Sequence, residues 1–308
     1  MAEASEPSPG DASNRPSEAP SPPAFEKGGE GFTFVSYNLQ NYLAMDRRVD
    51  GEVRSSAPKP EEEVRELIKA LAEIGPDILG VCEIGEQAFL EDLQNRLSEA
   101  GVQLPHAVLL PAASGQNRNL AVLSRFPIVA DRSRGDYVYD LAGNRLPFQR
   151  GVLDVTMEIR EGYQLRYVGL HLKSRREVPE GDQGMMRLHE ARIARTHIDG
   201  ILASDPEVKL LVAGDFNDTR NEAPVRTLQG RHGSPGYLAS LNLADRDGLR
   251  WTHYWDHADL YSRIDFVLHS RSLSPEIRRD LSGIHHWEGW QVASDHRPLV
   301  VRIAPESP

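Results

Sequence analysis

From Gly31 onward the chain alternates short apolar runs of strand length with longer segments of helical spacing, which restricts it to sheet covered by helices. Phe32 to Leu39 (FTFVSYNL) is aromatic and β-branched, which predicts a strand. In Glu61 to Ile74 the residues Val64, Leu67, Ile68 and Leu71 recur at i, i+3, i+4 and i+7 behind three glutamates, an amphipathic helix that Gly75-Pro76 stops. DILGVC then reads as a buried strand, and Phe89, Leu90, Leu93 and Leu97 mark a second helix. Leu120 to Ser124, Val152 to Ile159, Leu165 to Leu172, Val208 to Ala213, Ile264 to Leu268 and Pro298 to Ile303 supply further strands, and residues 184–203 a long helix. Within Val152 to Ile159, Asp154, Thr156 and Glu158 share one face. Strand runs of hairpin type mixed with crossover helices predict a mixed-sheet α/β domain over residues 31–305.

Composition narrows the class. In 308 residues, 39% hydrophobic, there is enough apolar matter for a core but no apolar stretch of transmembrane length. Cys82 is the only cysteine, which excludes a disulfide framework and a thiolate zinc site. A net charge of −11 argues against coating nucleic acid by bulk charge, though not against meeting phosphates through a metal. Residues 1–30 hold six of the 21 prolines, much Ser and Ala, and a net charge of −4, so a disordered tail is expected there. The opening MAEASEPSPG has neither a basic nor an apolar leader region, which leaves a soluble cytoplasmic monomer as the default. Such a spacer also suits a chain exported by an upstream leader.

Polar, metal-capable residues stand at the ends of the apolar strands. Asn38 closes the first, Glu83 follows ILGVC, His171 follows YVGL, and Asp215 and Asn217 follow LLVAG in GDFND. Asp265 sits inside SRIDFVL, and Asp295-His296 directly precede the last strand. Ligands of open α/β sheets collect at strand carboxyl ends, so these residues can converge on one rim. Singly, each has a plainer reading: a turn former, a helix cap, a satisfied half-buried histidine. Asp265 resists it, because a carboxylate between Ile264 and Phe266 needs a partner or a proton.

Together these pieces resemble the endonuclease/exonuclease/phosphatase superfamily of metal-dependent phosphoesterases. The matching segments, in family order, are SYNLQNY, PDILGVCEIGE, NLAVLSRFPI, VGLHLKS, VAGDFNDT, WTHYW with SRIDFVL, and ASDHRPLVV. The resemblance implies a four-layer α/β sandwich, two packed mixed sheets with helices outside. It also implies roles: Asn38, Glu83 and Asp295 at the metal; Asp215 and Asn217 handling nucleophile and scissile phosphate; Asp265 orienting the essential His296; and His171 as a second catalytic histidine. An oxygen-rich donor set without thiolate suits Mg²⁺ or Mn²⁺, which offsets the anionic repulsion that protects a phosphodiester. Either Asp215 or His296 can serve as the base that activates water.

The substrate reading is a nuclease, so nucleic acid is the expected partner, because HLKS with LSRFPI is similar to bacterial nuclease-type members. LYSRID lacks the Trp and Cys of the inositol-phosphatase box, and no apolar hairpin suggests insertion into a bilayer. Another phosphatase or phosphodiesterase is the alternative; a non-catalytic binding module on the same fold is disfavoured by the complete residue set. His253 and His257 have helical spacing but no HExxH context, so they and the nearby aromatics read as packing, and His285-His286 as loop. Arg125, Arg175, Arg176 and Arg187 can line a substrate groove, but solvated charges are the plainer reading.

Overall fold

Two six-stranded sheets pack face to face in the computed structural model, which describes residues 31–49, 51–113 and 115–305. The segment expected to be a disordered tail, residues 1–30, lies outside the described residues. Across the first sheet the order is Ile277–Ile284, Leu299–Ile303, Phe32–Tyr42, Ile78–Ile84, Asn119–Ser124 and His106–Leu110. Across the second it is Ala239–Ser240, Asp265–His269, Leu210–Asp215, Tyr163–His171, Leu153–Arg160 and Ile128–Asp131. Each sheet has one parallel pair at its centre, Phe32–Tyr42 with Ile78–Ile84 and Tyr163–His171 with Leu210–Asp215, and every other pairing is antiparallel.

The central strands are buried on both faces, which is why they read as continuous apolar runs. Phe32, Phe34, Ile78, Leu120 and Val122 meet Leu153, Val155, Leu165, Leu211 and Val267 between the sheets. The alternate residues Val35, Tyr37, Leu79 and Val81 pack beneath helices Glu61–Ile74 and Gln87–Glu99, through Val64, Leu67, Leu71, Leu90 and Leu93. Val168, Leu170, Leu210, Val212 and Phe266 pack likewise beneath helices Gln183–Ser204 and Ala223–Gln229. The result is the four-layer α/β sandwich that the resemblance implied. Among the described residues no helix is long and apolar enough to cross a membrane.

Differences from the sequence reading fall at edges and buried charges. Ile277–Ile284 (IRRDLSGI) buries only its end residues, so its polar middle hid an edge strand. The ribbon Met45–Val49 with Glu52–Ala57 has too few apolar residues for a period to show. Asp154, placed by alternation on a polar face, is fully buried, accepting two bonds from Arg166 (2.7 and 2.6 Å) and one from His197 Nε2 (2.7 Å).

Candidate active site

Parallel central strands deliver their carboxyl ends to one place, and their antiparallel neighbours begin there. Asn38 and Glu83 come from the first sheet's parallel pair, and His171 and Asp215 from the second's. Asp265 opens the strand antiparallel to Leu210–Asp215 and stands opposite Asp215 in register. Asp295-His296 precede the strand that runs antiparallel beside Phe32–Tyr42. Strand direction alone therefore gathers residues separated by up to 258 positions in the sequence.

Local backbone aims the side chains. The strand predicted to end at Leu39 continues to Tyr42 through a bulge in which Gln40 and Asn41 take positive φ of 47° and 60°. Glu83 is not a helix cap; it is the extra residue of a second bulge, with φ 62°, and Asn41 N–H donates to its Oε2 at 3.0 Å. Gly214 has φ +141°, and a Cβ there would lie 1.9 Å from the Leu170 carbonyl oxygen, so only glycine lets the strand carrying Asp215 approach its neighbour. Asn217 follows with φ 52°. Non-glycine residues in this region are strained, and they cluster at working sites.

At the centre, His296 Nδ1 lies 2.8 Å from Asp265 Oδ2, so the ring proton at Nδ1 donates to the carboxylate and Nε2 faces inward. There it stands 3.8 Å from Asp215 Oδ2 and 3.9 Å from Asp295 Oδ1. Burial alone would push the imidazole down; Asp265 and then Asp215 and Asp295 outweigh it and raise the pKa to about 10. Asp215 is buried and is pushed up to about 7 by burial and then by the charge of Asp265. Its Oδ2 accepts from Asn38 Nδ2 (3.1 Å) and Asn217 Nδ2 (3.2 Å), its Oδ1 from the Asn217 backbone N–H (2.8 Å). His171 is buried with Nε2 at 3.6 Å from Asp215 and 3.9 Å from Glu83, and burial holds it well below the usual imidazole range.

A hard cation fits this donor set. Carboxylates of Asp215 and Asp265 meet in a buried space with the charge of the half-buried Glu83 beside them, and their mutual repulsion is what a divalent ion relieves. Asp295 Oδ1 and His171 Nδ1 are buried without a hydrogen-bond partner among the described residues. The tightest groups of donor atoms, within 4.8 Å of one another, are Asp215–Asp265–His296 and His253–Asp295–His296. Asp295 thus lies beside the two histidines, His253 and His296. His253, which sequence reasoning treated as packing, lies against the candidate site: Nε2 is 3.7 Å from Asp295 Oδ2, and its backbone bridges His296. Only the run WTHYW ahead of SRIDF signalled it.

Several supporting residues also escaped the sequence reading. Thr252 Oγ1 accepts from the Ile264 and Asp265 N–H groups (both 3.1 Å), while its carbonyl receives Arg297 N–H (2.7 Å), so one threonine ties Asp265 to the His296 segment. Ser294 Oγ donates to the Asn38 carbonyl (2.8 Å) and accepts from His296 N–H (3.0 Å). Arg187 is not solvated: it is buried against Asp218 (2.9 Å) and donates to the Lys173 carbonyl (3.0 Å), while Glu190 one turn on accepts Lys173 N–H (2.6 Å). Arg125 and Arg175 pair with Asp77 (3.2 Å) and Asp218 (2.7 Å). Arg297 is fully buried, bonded to Asp245 (2.7 Å), with its guanidinium carbon 3.4 Å from the Trp251 ring centroid.

Arg297→Ala would leave Asp245 buried and unpaired, at a cost of about 3–5 kcal/mol measured by urea denaturation at pH 7. Burial pushes the Asp245 carboxyl up, but Arg297 outweighs it and holds it below the usual range. The pair's contribution is therefore present above about pH 4 and fades as pH falls below it. The gap between wild type and variant should shrink in acid; a constant gap would assign the loss to packing on Trp251.

A profile of the Endonuclease/Exonuclease/phosphatase family matches residues 35–296. The chain belongs to this family. As a member of the endonuclease/exonuclease/phosphatase family it is a metal-dependent hydrolase of phosphoester bonds. Solved structures agree on the fold. Truncated TDP2 from Caenorhabditis elegans superposes with a TM-score of 0.60 at 15% identity, over 90% of this chain and 99% of that one. The human Nocturnin catalytic domain with bound sulfate gives 0.60 at 18%, over 89% and 94%. Sphingomyelinase C from Streptomyces griseocarneus gives 0.58 at 15%, over 89% and 99%. No curated protein matches the chain in sequence.

Proposed function

We propose that this phosphoesterase is a Mg²⁺- or Mn²⁺-dependent nuclease that cleaves phosphodiesters with Asp215 and the Asp265–His296 pair. The observation that carries the reading is the 2.8 Å bond from His296 Nδ1 to Asp265, which turns Nε2 toward Asp215 in a buried, acid-lined rim. A cation held by Asn38 and Glu83, with Asp295 at the margin, would neutralise phosphoryl charge and the leaving oxygen. Asp215 is fixed by three donors and, with a pKa near neutrality, is placed to take the proton of an attacking water. His296 keeps its proton at neutral pH and is placed to stabilise or protonate the oxygen that departs. Asn217 positions Asp215, its side-chain amide being shared between the Asp215 carboxylate (3.2 Å) and the Leu172 carbonyl (3.0 Å). His171, neutral because burial disfavours its charge, can donate to a phosphoryl oxygen.

Similarity of HLKS and LSRFPI to nuclease-type members supports nucleic acid as substrate. The likeness to a sphingomyelinase C supports the alternative, a lipid phosphodiester. Turnover of single-stranded DNA, duplex DNA, RNA, bis(p-nitrophenyl) phosphate and sphingomyelin vesicles, each titrated with Mg²⁺ and Mn²⁺, tests the two. A nuclease cleaves the polynucleotides with the higher kcat/KM; preference for the vesicles would reverse the assignment. If Glu83 holds the cation, Glu83→Gln should raise the Mg²⁺ concentration needed for half-maximal rate by roughly tenfold or more and recover with added metal. A loss that no metal concentration repairs would remove Glu83 from that role.

A further inference from the structure

The hairpin of His253–Trp255 and Leu260–Ser262 pairs His253 with Ser262, Tyr254 with Tyr261 and Trp255 with Leu260. Side chains alternate across such a ribbon, so His253–Ser262 and Trp255–Leu260 share one face, and His253 Nδ1 lies 3.3 Å from Ser262 Oγ on it. The opposite face is anchored: Tyr261 packs against Trp251 (ring centroids 4.8 Å apart), and Tyr254 against Trp290 (6.1 Å). The first face starts at the active site, where the His253 and His296 ring centroids are 4.7 Å apart. Two residues farther along, roughly 7 Å at strand spacing, stand Trp255 and Leu260. Both are 51% exposed, opposite each other, on the face that carries His253 into the site.

Cations flank the foot of the same hairpin. Arg250 precedes Trp251, Arg263 directly follows Ser262, and neither has a carboxylate within ion-pair distance among the described residues; the same is true of Arg220. Burial, then the charges of Arg220 and Arg250, lower the Arg263 pKa to about 10, which leaves it charged at neutral pH. Arg263 also donates to the Leu241 carbonyl (2.6 Å) and stands 5.0 Å from the Phe266 ring centroid. An acidic chain that gathers guanidinium groups without carboxylate partners at the foot of a hairpin whose other end exposes a Trp–Leu pair has the two parts of a strand-binding groove, a surface for a flat apolar ring and charge for a phosphate.

We propose that Trp255 and Leu260 form a stacking platform for an unpaired base next to the scissile phosphate, with Arg250 and Arg263 holding a flanking phosphate, so that the preferred substrate is single-stranded nucleic acid. The proposal rests on the phosphodiesterase reading of the site. Bases inside a duplex have both faces covered by neighbours and cannot lie on such a pair, whereas a single strand offers them freely. A bilayer is a poor occupant, because the turn between the strands carries the exposed carboxylates Asp256 and Asp259, which insertion would have to bury.

The test is binding in the His296→Ala background with Mg²⁺ present, read by anisotropy of a fluorescein-labelled oligothymidylate. A second strand of equal length, with tetrahydrofuran abasic residues in place of nucleotides, keeps the phosphates and removes the bases. Trp255→Ala should weaken oligothymidylate binding by roughly 5- to 150-fold, the range of one lost base stack. It should leave the abasic strand bound as before, and Trp255→Phe, which keeps a ring, should retain most of the affinity. Val129→Ala, a half-exposed site on an edge strand of the second sheet, is the control and should change neither. Equal binding of oligothymidylate by Trp255→Ala and its parent would overturn the proposal. So would a Trp255→Ala loss confined to sphingomyelin vesicles, or a parent that prefers the abasic strand. Wild-type hydrolysis of bis(p-nitrophenyl) phosphate is read separately and bears only on the phosphodiesterase reading.

Discussion

Asp265→Asn should leave a folded protein whose kcat/KM is lower by orders of magnitude, with roughly 10⁴-fold as the scale set by an Asp-to-Asn change behind a catalytic histidine. The reason is geometric. Asp265 Oδ2 fixes the His296 proton at Nδ1 across 2.8 Å and keeps Nε2 directed at Asp215. An amide in its place can present N–H to Nδ1, which leaves that nitrogen no room for a proton and disfavours the doubly protonated ring that the departing oxygen needs. It also removes the charge that most raises the pKa of His296, leaving only Asp215 and Asp295 to oppose burial, so the ring of the variant should lose its proton at lower pH than that of the wild type. Asp265 is itself gripped by Thr252 through its backbone N–H at 3.1 Å, so the substitution need not disturb the strand. Circular dichroism and thermal melting check folding. A folded Asp265→Asn enzyme with near-wild-type turnover would contradict the assignment.

Chelation should have a comparable effect. With EDTA in excess, hydrolysis should fall to background, and Mg²⁺ or Mn²⁺ should restore it in full, because oxygen ligands hold such ions reversibly. Asp215 and Asp265 meet in a buried space with the charge of Glu83 beside them, and without a cation their repulsion turns away an anionic phosphodiester as well as raising the Asp215 pKa. Chelation should therefore also weaken substrate binding, visible as a loss of affinity in the His296→Ala variant. Undiminished turnover in EDTA would leave the carboxylate cluster without its proposed role.

Much of this was legible in the sequence because the central strands are buried on both faces and announce themselves as apolar runs. The candidate residues could be named from the same runs, since chemistry-bearing groups stand where those runs stop. What stayed hidden has specific physical causes. Glu83 is aimed by a bulge and a positive φ, which sequence spacing cannot show, so a helix cap was an equal reading of it. His253 reaches the site because its hairpin bridges His296, a contact between segments that no local pattern encodes. Arg187 looked like a surface charge on a helix until its fold partner Asp218, 31 residues away, buried it. Edge strands such as Ile277–Ile284 carry charge in place of periodicity, and so leave no signature.

The claim that Asp265 and His296 act as one unit is tested most directly by a double-mutant cycle on kcat/KM. Asp265→Asn, His296→Ala and the double variant would be measured in saturating Mg²⁺ on the same phosphodiester. Residues that act through a single proton-holding arrangement are not additive, so the double variant should be about as slow as the slower single one. Losses that multiply, with the double variant slower by the product of the two single effects, would show that the two residues act independently and would contradict the account.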